Sequence, residues 1–210
     1  MALQLAEYAG RPDVLVLGLP RGGVPVAAEV ARHLGAPLDI FLVRKLGVPN
    51  HPELAMGAIA EGGIVVLNED LIRELEISRF LVEQAAIRER LELARREQHY
   101  RGARPRPDAA GRTVFVVDDG LATGATMEAA VTALRQSKPA RIVVAAPVGA
   151  RDTCERLRRL ADAVVCAETP LNLGAVGLWY EDFGQTTDEE VRRLIRSAGV
   201  LPGETAVKPE

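Results

Sequence analysis

Apolar residues in this chain fall in short unbroken runs, separated by longer stretches in which they recur at helical spacing. Residues 13–19 (DVLVLGL), 38–43 (LDIFLV), 113–117 (TVFVV), 141–147 (RIVVAAP) and 163–167 (AVVCA) are such runs, rich in Val, Ile and Leu. Short apolar runs without polar alternation mark strands covered on both faces. Residues 24–34, 124–137 and 151–161 carry apolar positions three and four apart and read as helices between those strands. Gly35 stands where the first of them would stop. Residues 69–75 read as a short helix capped by Asn68. Residues 78–100 read as a longer one with Phe80, Ala85, Ile87, Leu91 and Ala94 on its buried side. Thr187 and Glu190 form a capping box for a last helix, 187–198, ended by Gly199. Residues 44–54, with Gly47, Pro49, Asn50 and Pro52, read as a loop. A hairpin follows, in which 55–60 and 64–67 flank Gly62-Gly63.

Strands alternating with helices predict an α/β fold: a parallel twisted sheet with helices on both faces, plus a small hood and hairpin. One domain is expected over residues 1–210, with a flexible loop and hairpin at 44–67 and a hood segment at 168–186. Right-handed crossovers would bring the loops near Pro20, Arg44, Asp118, Pro147 and Glu168 to one sheet edge, where ligands bind.

Composition narrows the classes. The 26 basic and 29 acidic residues give a net charge of −3, which disfavours unspecific nucleic-acid binding. No apolar run reaches the length of a membrane span, and the first residues, MALQLAEYAG, lack the pattern of a secretory signal. A cytoplasmic protein is expected, with Cys154 and Cys166 as buried reduced thiols and no zinc cluster among His33, His51 and His99. The three lysines are Lys45, Lys138 and Lys208; of these Lys45 alone follows an apolar run.

Residues 114–127 (VFVVDDGLATGATM) carry the chemistry. An apolar strand leads into Asp118 and Asp119. A loop of small residues follows, Ala122, Thr123, Gly124, Ala125 and Thr126, and then a helix. Small side chains let successive N–H groups turn toward one anion, and the helix start adds its free N–H groups and positive dipole end. Two acids would repel a phosphate placed on them but suit hydroxyl groups a few ångströms away. Acid pair and anion cup together point to a sugar phosphate. There is no Gly-Lys-[Ser/Thr] of a Walker loop and no dinucleotide fingerprint after a strand.

Residues 116–126 resemble the signature of the type I phosphoribosyltransferases, in which such a loop binds the 5-phosphate of phosphoribosyl diphosphate (PRPP). The resemblance covers roughly residues 13–168. It implies a diphosphate loop at Pro20-Arg21-Gly22-Gly23, within which related enzymes often hold a cis peptide and in which the Arg21–Gly22 peptide is expected to be strained or to flip on ligand binding. It also implies a flexible loop opened by Arg44 and Lys45. The chain is most similar to predicted phosphoribosyltransferases of unassigned acceptor, which carry R-G-G-V-P, R-K-L-G and P-E-L-A-x-G-A. Arg21–Pro25, Arg44–Gly47 and Pro52–Ala58 match them. Hypoxanthine-guanine enzymes place a third acid where this chain has Ala122, whereas adenine enzymes have Ala there.

The resemblance implies transfer of the phosphoribosyl group from PRPP, with Mg2+, to a nitrogenous base or amine, releasing diphosphate. Asp118, Asp119, Lys45 and Arg21 would be catalytic, the acids touching a metal through water at most. Arg21, Gly22, Gly23, Arg44, residues 122–126, and Trp179 or Tyr180 stacking on the acceptor would bind substrates. His51 and Glu53 are candidate acid or base groups. A homo-oligomer is compatible with this reading. The rival is a PRPP sensor that binds nucleic acid or protein through the basic stretch Arg95, Arg96, Arg101, Arg104 and Arg106.

Overall fold

The computed structural model describes residues 2–49 and 51–198, without the side chains of residues 2, 3, 52 and 53. Five parallel strands make the central sheet: β1 (Val14–Gly18), β2 (Leu38–Ile40), β6 (Thr113–Val117), β7 (Arg141–Val148) and β8 (Ala163–Glu168), in the order β2-β1-β6-β7-β8. Their side chains alternate between two cores, as the period of two requires. Val14, Val16, Phe115 and Val117 pack on α1 (Gly23–Leu34) through Val30, Ala31 and Leu34. Leu15, Leu17, Val114 and Val116 pack on the opposite face with Met127, Val131 and Leu134 of α4 (Ala125–Arg135), and α5 (Arg151–Leu157) adds Cys154 and Leu157. Gly35 ends α1 with a left-handed φ of 63°.

A second, antiparallel sheet is built from β3 (Val43–Val48), β4 (His51–Ala60) and β5 (Val65–Leu67). It corrects two expectations. Residues 38–43 are not one strand: β2 stops at Ile40, and β3 begins at Val43 in the other sheet. The corner between them is fixed by polar groups. The Leu42 N–H donates to Glu61 Oε2 at 3.2 Å and its carbonyl accepts from the Glu61 N–H at 3.0 Å. Residues 44–54 are not a loop either. Arg44 lies opposite Ile59 and Lys45 opposite Ala58, and register shifts on both sides of Gly47 absorb the irregular sequence. Asn50, expected in that loop, lies outside the described residues.

Helix α2 (Glu69–Glu74) is capped as expected, the Asn68 side chain accepting from the Leu71 N–H at 3.1 Å. Helix α3 (Arg79–Arg101) is capped by Ser78, and of the residues expected on its buried side only Ala85 is buried. Val82, Ala85, Ala86 and Leu93 are buried, whereas Phe80, Ile87 and Leu91 are 66%, 49% and 69% exposed. The buried face packs on Leu46, Met56 and Ile59 of the hairpin sheet, with Tyr100 beside them. Helix α6 (Asp188–Ala198) is capped by Thr187 Oγ1, which accepts from the Glu190 N–H at 3.1 Å. Its expected stop, Gly199, lies outside the described residues. Residues 2–8, given no element from the sequence, form a 3-10 turn that buries Leu5 and Tyr8, with Tyr8 edge-on to Phe115. Cys154 is buried and Cys166 only half-buried; both are free, with sulfurs 3.1 Å apart. No helix among the described residues is long and apolar enough to cross a membrane.

Candidate active site

Sheet order decides where a ligand can enter. The chain runs from β1 outward to β2 on one side and returns to β6, β7 and β8 on the other. The carboxyl ends of β1 and β6 therefore face a crevice from which their loops diverge. The loop after β1 holds Pro20, Arg21 and Gly22, and the loop after β6 runs from Asp118 to Gly124. A cis peptide lies inside this loop and joins Pro20 to Arg21, one bond before the Arg21–Gly22 peptide expected to be strained.

The two loops touch through glycine. A Cβ on Gly22 would lie 1.9 Å from Asp119 Oδ2 and 2.7 Å from its Cγ; one on Gly23 would lie 2.6 Å from the Val117 carbonyl oxygen. Gly22→Ala must turn the Asp119 carboxyl away. If the crevice takes PRPP, the ligand that the resemblance implies, the expected result is a loss of its affinity of at least tenfold, measured by calorimetry, with the thermal midpoint changed by only a few degrees. Unchanged affinity would separate Gly22 from the site.

The cup after Asp119 is held from behind by α5. Thr153 Oγ1 donates to the Ala122 carbonyl at 2.7 Å, and Arg156 donates to the Thr123 carbonyl at 2.7 Å and to Glu128 at 3.1 Å. With those carbonyls turned to α5, the N–H groups of Ala122, Thr123 and Gly124 have no protein acceptor among the described residues. Gly124 reaches φ +73°, and a Cβ there would meet Thr153 Cγ2 at 2.4 Å. Helix α4 begins at the next residue, and Ala122, Thr123 and Thr126 are exposed. The loop is thus an open ring of donors at a helix N-terminus, suited to a phosphate group.

Asp118 and Asp119 stand between the loops. Asp118 Oδ1 accepts from the Asp119 N–H at 3.0 Å, and neither carboxylate has a cationic partner among the described residues. Burial, reinforced by the neighbouring Asp119, pushes the Asp118 carboxyl well above the usual range; burial also raises Asp119. Two desolvated acids without a counter-ion are costly in the free protein and fit a hydrated cation or sugar hydroxyls.

A cavity opens on each side. One, of about 860 Å3, is lined by Pro20, Arg44, Lys45, Arg88, Arg96 and Thr126, with Glu89 as its one acid. Arg44 is ion-paired with Glu89, while Lys45 is exposed and makes no ion pair among the described residues. Sequence reasoning placed Arg44, Lys45 and Thr126 in one site, and the fold brings them together. It missed Arg88 and Arg96, because they project from the α3 face that was taken to be solvated. The other cavity, of about 780 Å3, is lined by Arg21, Gly22, Asp119, Tyr180, Asp182, Phe183 and Glu190 among others. Tyr180 donates its hydroxyl to the Asp119 carbonyl at 2.6 Å. Trp179, the other stacking candidate, does not line this cavity; its indole N–H donates to the Leu173 carbonyl at 3.0 Å. Phe183 holds that place instead, its ring 5.0 Å from Tyr180.

The remaining candidates scatter. Arg21 is 3.8 Å from Asp188, which also accepts from Tyr100 at 2.7 Å, so its guanidinium lies on the aromatic side and not in the cationic cavity. His51 opens β4 opposite Val48, and the Glu53 side chain lies outside the described residues. The basic stretch is largely paired internally. Arg95 and Arg96 bind Glu92, Arg101 is fully buried among carboxylates, Arg104 caps the Ile195 carbonyl, and Arg106 binds Glu97.

The geometry agrees with kinship. The chain is 47% identical over 191 residues to two Mycobacterium tuberculosis proteins, named "Putative phosphoribosyl transferase Rv0571c" and "Putative phosphoribosyl transferase MT0597". The match spans 91% of this chain and 43% of each of theirs, so the chain covers less than half the length of these curated relatives. The crystal structure of TT1426 from Thermus thermophilus superposes with a TM-score of 0.85 at 46% identity, covering 93% of this chain and 92% of that one. A family model described as a phosphoribosyl transferase domain matches residues 1–181, from the first turn through both loops, the acid pair and the cup to the hood. The chain belongs to the phosphoribosyl transferase domain family.

Proposed function

We propose that this chain binds PRPP with magnesium and transfers its 5-phosphoribosyl group to a nitrogenous base or amine, releasing diphosphate. The observation that carries this reading is the acid pair with its N–H cup, from which Thr126 lines a cationic cavity and Asp119 an aromatic one. Each part of PRPP has a chemical match. The 5-phosphate takes the N–H groups of Ala122–Thr126 and the hydroxyls of Thr123 and Thr126. The ribose hydroxyls take Asp118 and Asp119. The diphosphate takes the backbone of Pro20–Gly23 and the cations Lys45, Arg88 and Arg96, with Arg21 on the same loop.

Magnesium fits this site, since Asp118 and Asp119 are two half-buried acids without a counter-cation among the described residues and would hold the ion through its water shell. When bound with PRPP it supplies positive charge to the diphosphate oxygens. In the transfer, the bond from ribose C1 to diphosphate oxygen breaks and its electron pair leaves with diphosphate. The acceptor nitrogen forms the new bond to C1 and loses a proton. As positive charge grows on the ribose, Asp118 and Asp119 oppose it with negative charge fixed in place. The anchored 5-phosphate holds C1 in position. Lys45 meets the charge that grows on the departing diphosphate.

Lys45→Ala is therefore expected to lower kcat by about 10–100-fold while PRPP affinity changes by less than about threefold, because its partner charge is largest in the transition state. An equal loss in affinity and rate would make Lys45 a binding group alone. The reading itself is tested by PRPP-dependent diphosphate release across a panel of bases and amines. Tight PRPP binding without release for any acceptor would favour a sensor, for which the basic stretch offers Arg95, Arg96 and Arg106, each ion-paired with a carboxylate of α3, while Arg101 is buried.

A further inference from the structure

The aromatic cavity differs in charge from its neighbour in a way the transfer reaction does not require. The cationic cavity gathers Arg44, Lys45, Arg88 and Arg96 against Glu89. The aromatic cavity is lined by Asp119, Asp182 and Glu190, with Arg21 as its one cation. Arg21 lies 3.8 Å from Asp188 and Glu190 3.9 Å from Arg193, which leaves Asp182 as the acid with no ion pair among the described residues apart from the site's own Asp119. No lysine or histidine lines it among the described residues. Tyr180 and Phe183 supply ring faces, Phe183 being 49% exposed. The Tyr180 hydroxyl is committed to the Asp119 carbonyl, and burial raises its pKa to about 12, so it stays a neutral donor.

We infer that the acceptor bound here is a planar nitrogen compound rich in amino or amidino donors and lacking a carboxylate. This rests on the phosphoribosyltransferase reading and names its acceptor class. Aromatic faces attract cationic and electron-poor planar groups. Asp182 and Glu190 accept hydrogen bonds from N–H donors, and those bonds strengthen when the donor group is charged. A carboxylated acceptor meets the reverse: three acids face it, and Arg21, the one cation of the lining, is shared with Asp188. The acceptor's attacking nitrogen is a neutral one, distinct from the donors held by Asp182 and Glu190. It forms the bond to ribose C1 as diphosphate leaves with the electron pair, and its proton passes to water at the open mouth of the cavity.

The test uses two rigid ligands of matched shape and opposite charge, benzamidine and benzoate, titrated by calorimetry into protein saturated with magnesium and PRPP so that the cationic cavity is filled. Benzamidine should bind at least tenfold more tightly than benzoate. Asp182→Asn combined with Glu190→Gln should reduce that preference to less than threefold, with PRPP affinity changed less than twofold. Benzoate binding as tightly as benzamidine, neither ligand binding, or a preference that survives the double substitution would each overturn the inference. Failure of magnesium and PRPP to bind in the first titration would instead overturn the underlying reading, so the two failures are distinguishable.

Discussion

Replacing both acids, Asp118→Asn with Asp119→Asn, is expected to reduce PRPP-dependent diphosphate release by at least about a thousandfold while raising thermal stability. The two effects have one cause. In the free protein these carboxyls are desolvated side by side with no cationic partner among the described residues, and their affinity for protons is raised. A carboxyl whose folded pKa lies above its unfolded value holds a proton in the folded state after the unfolded state has lost it. Stability then falls as pH rises from the unfolded pKa, near 4, through the folded one. Asparagine removes that dependence and keeps the side-chain oxygen that accepts the Asp119 N–H. The double variant should melt several degrees higher at pH 8 and close to wild type at pH 4, each kcal/mol being worth about 2–4 °C in a chain of this size. What it loses is the negative charge that opposes the growing positive charge on the ribose. A lower melting point at pH 8 would make the acids structural, and retained turnover would remove them from the mechanism.

Arg101→Met is expected to be the most destabilising of these substitutions, at about 3–5 kcal/mol, which lowers the thermal midpoint by about 6–20 °C. The Arg101 side chain has 0% exposure and ion-pairs with Asp39 at 3.3 Å, Glu61 at 3.2 Å and Glu97 at 2.9 Å. It also donates to the Ile40 carbonyl at 3.0 Å, at the corner where the chain leaves the central sheet for the hairpin carrying Lys45. Methionine fills the space but leaves Asp39 and Glu61 buried without a cation. Burial already raises the Glu61 carboxyl against the pull of Arg101. Without the guanidinium it rises further, so the loss should be larger at pH 8 than at pH 5. Adding Glu61→Gln should recover part of it. A change under about 1 kcal/mol in chemical denaturation would show that the corner is held by packing alone.

Arg101 also marks the limit of what the sequence could disclose. It stands among Arg95, Arg96, Arg104 and Arg106 and reads there as solvated charge, because its partners Asp39 and Glu61 are distant along the chain. The parallel sheet was legible because its strands are apolar on both faces, and each run in 113–117 or 141–147 states its own burial. The hairpin of β4 and β5 around Gly62-Gly63 was legible too, but the pairing of β3 with β4 was not, because Gly47 and Pro49 carry loop chemistry while the pairing of Lys45 with Ala58 is a matter of register. The α3 face misled for the opposite reason. Phe80, Ile87 and Leu91 make the larger apolar stripe, yet Val82, Ala85, Ala86 and Leu93 are the residues packed on the hairpin sheet. In the site, the acid pair and cup could be read because they are contiguous. Thr153 and Arg156, which turn the cup's carbonyls away, could not, since nothing in their spacing refers to residues 122 and 123. Phe183 was passed over for Trp179 because only the fold tells which ring faces the cavity.

The most direct measurement is calorimetric titration of PRPP into the protein with and without magnesium, repeated with the Asp118→Asn, Asp119→Asn variant. The expected result is micromolar binding at one site that weakens at least tenfold when magnesium is withheld and again when the acids are replaced. Absence of PRPP binding, or binding indifferent to both magnesium and the acid pair, would contradict the assignment of this crevice as a phosphoribosyl site.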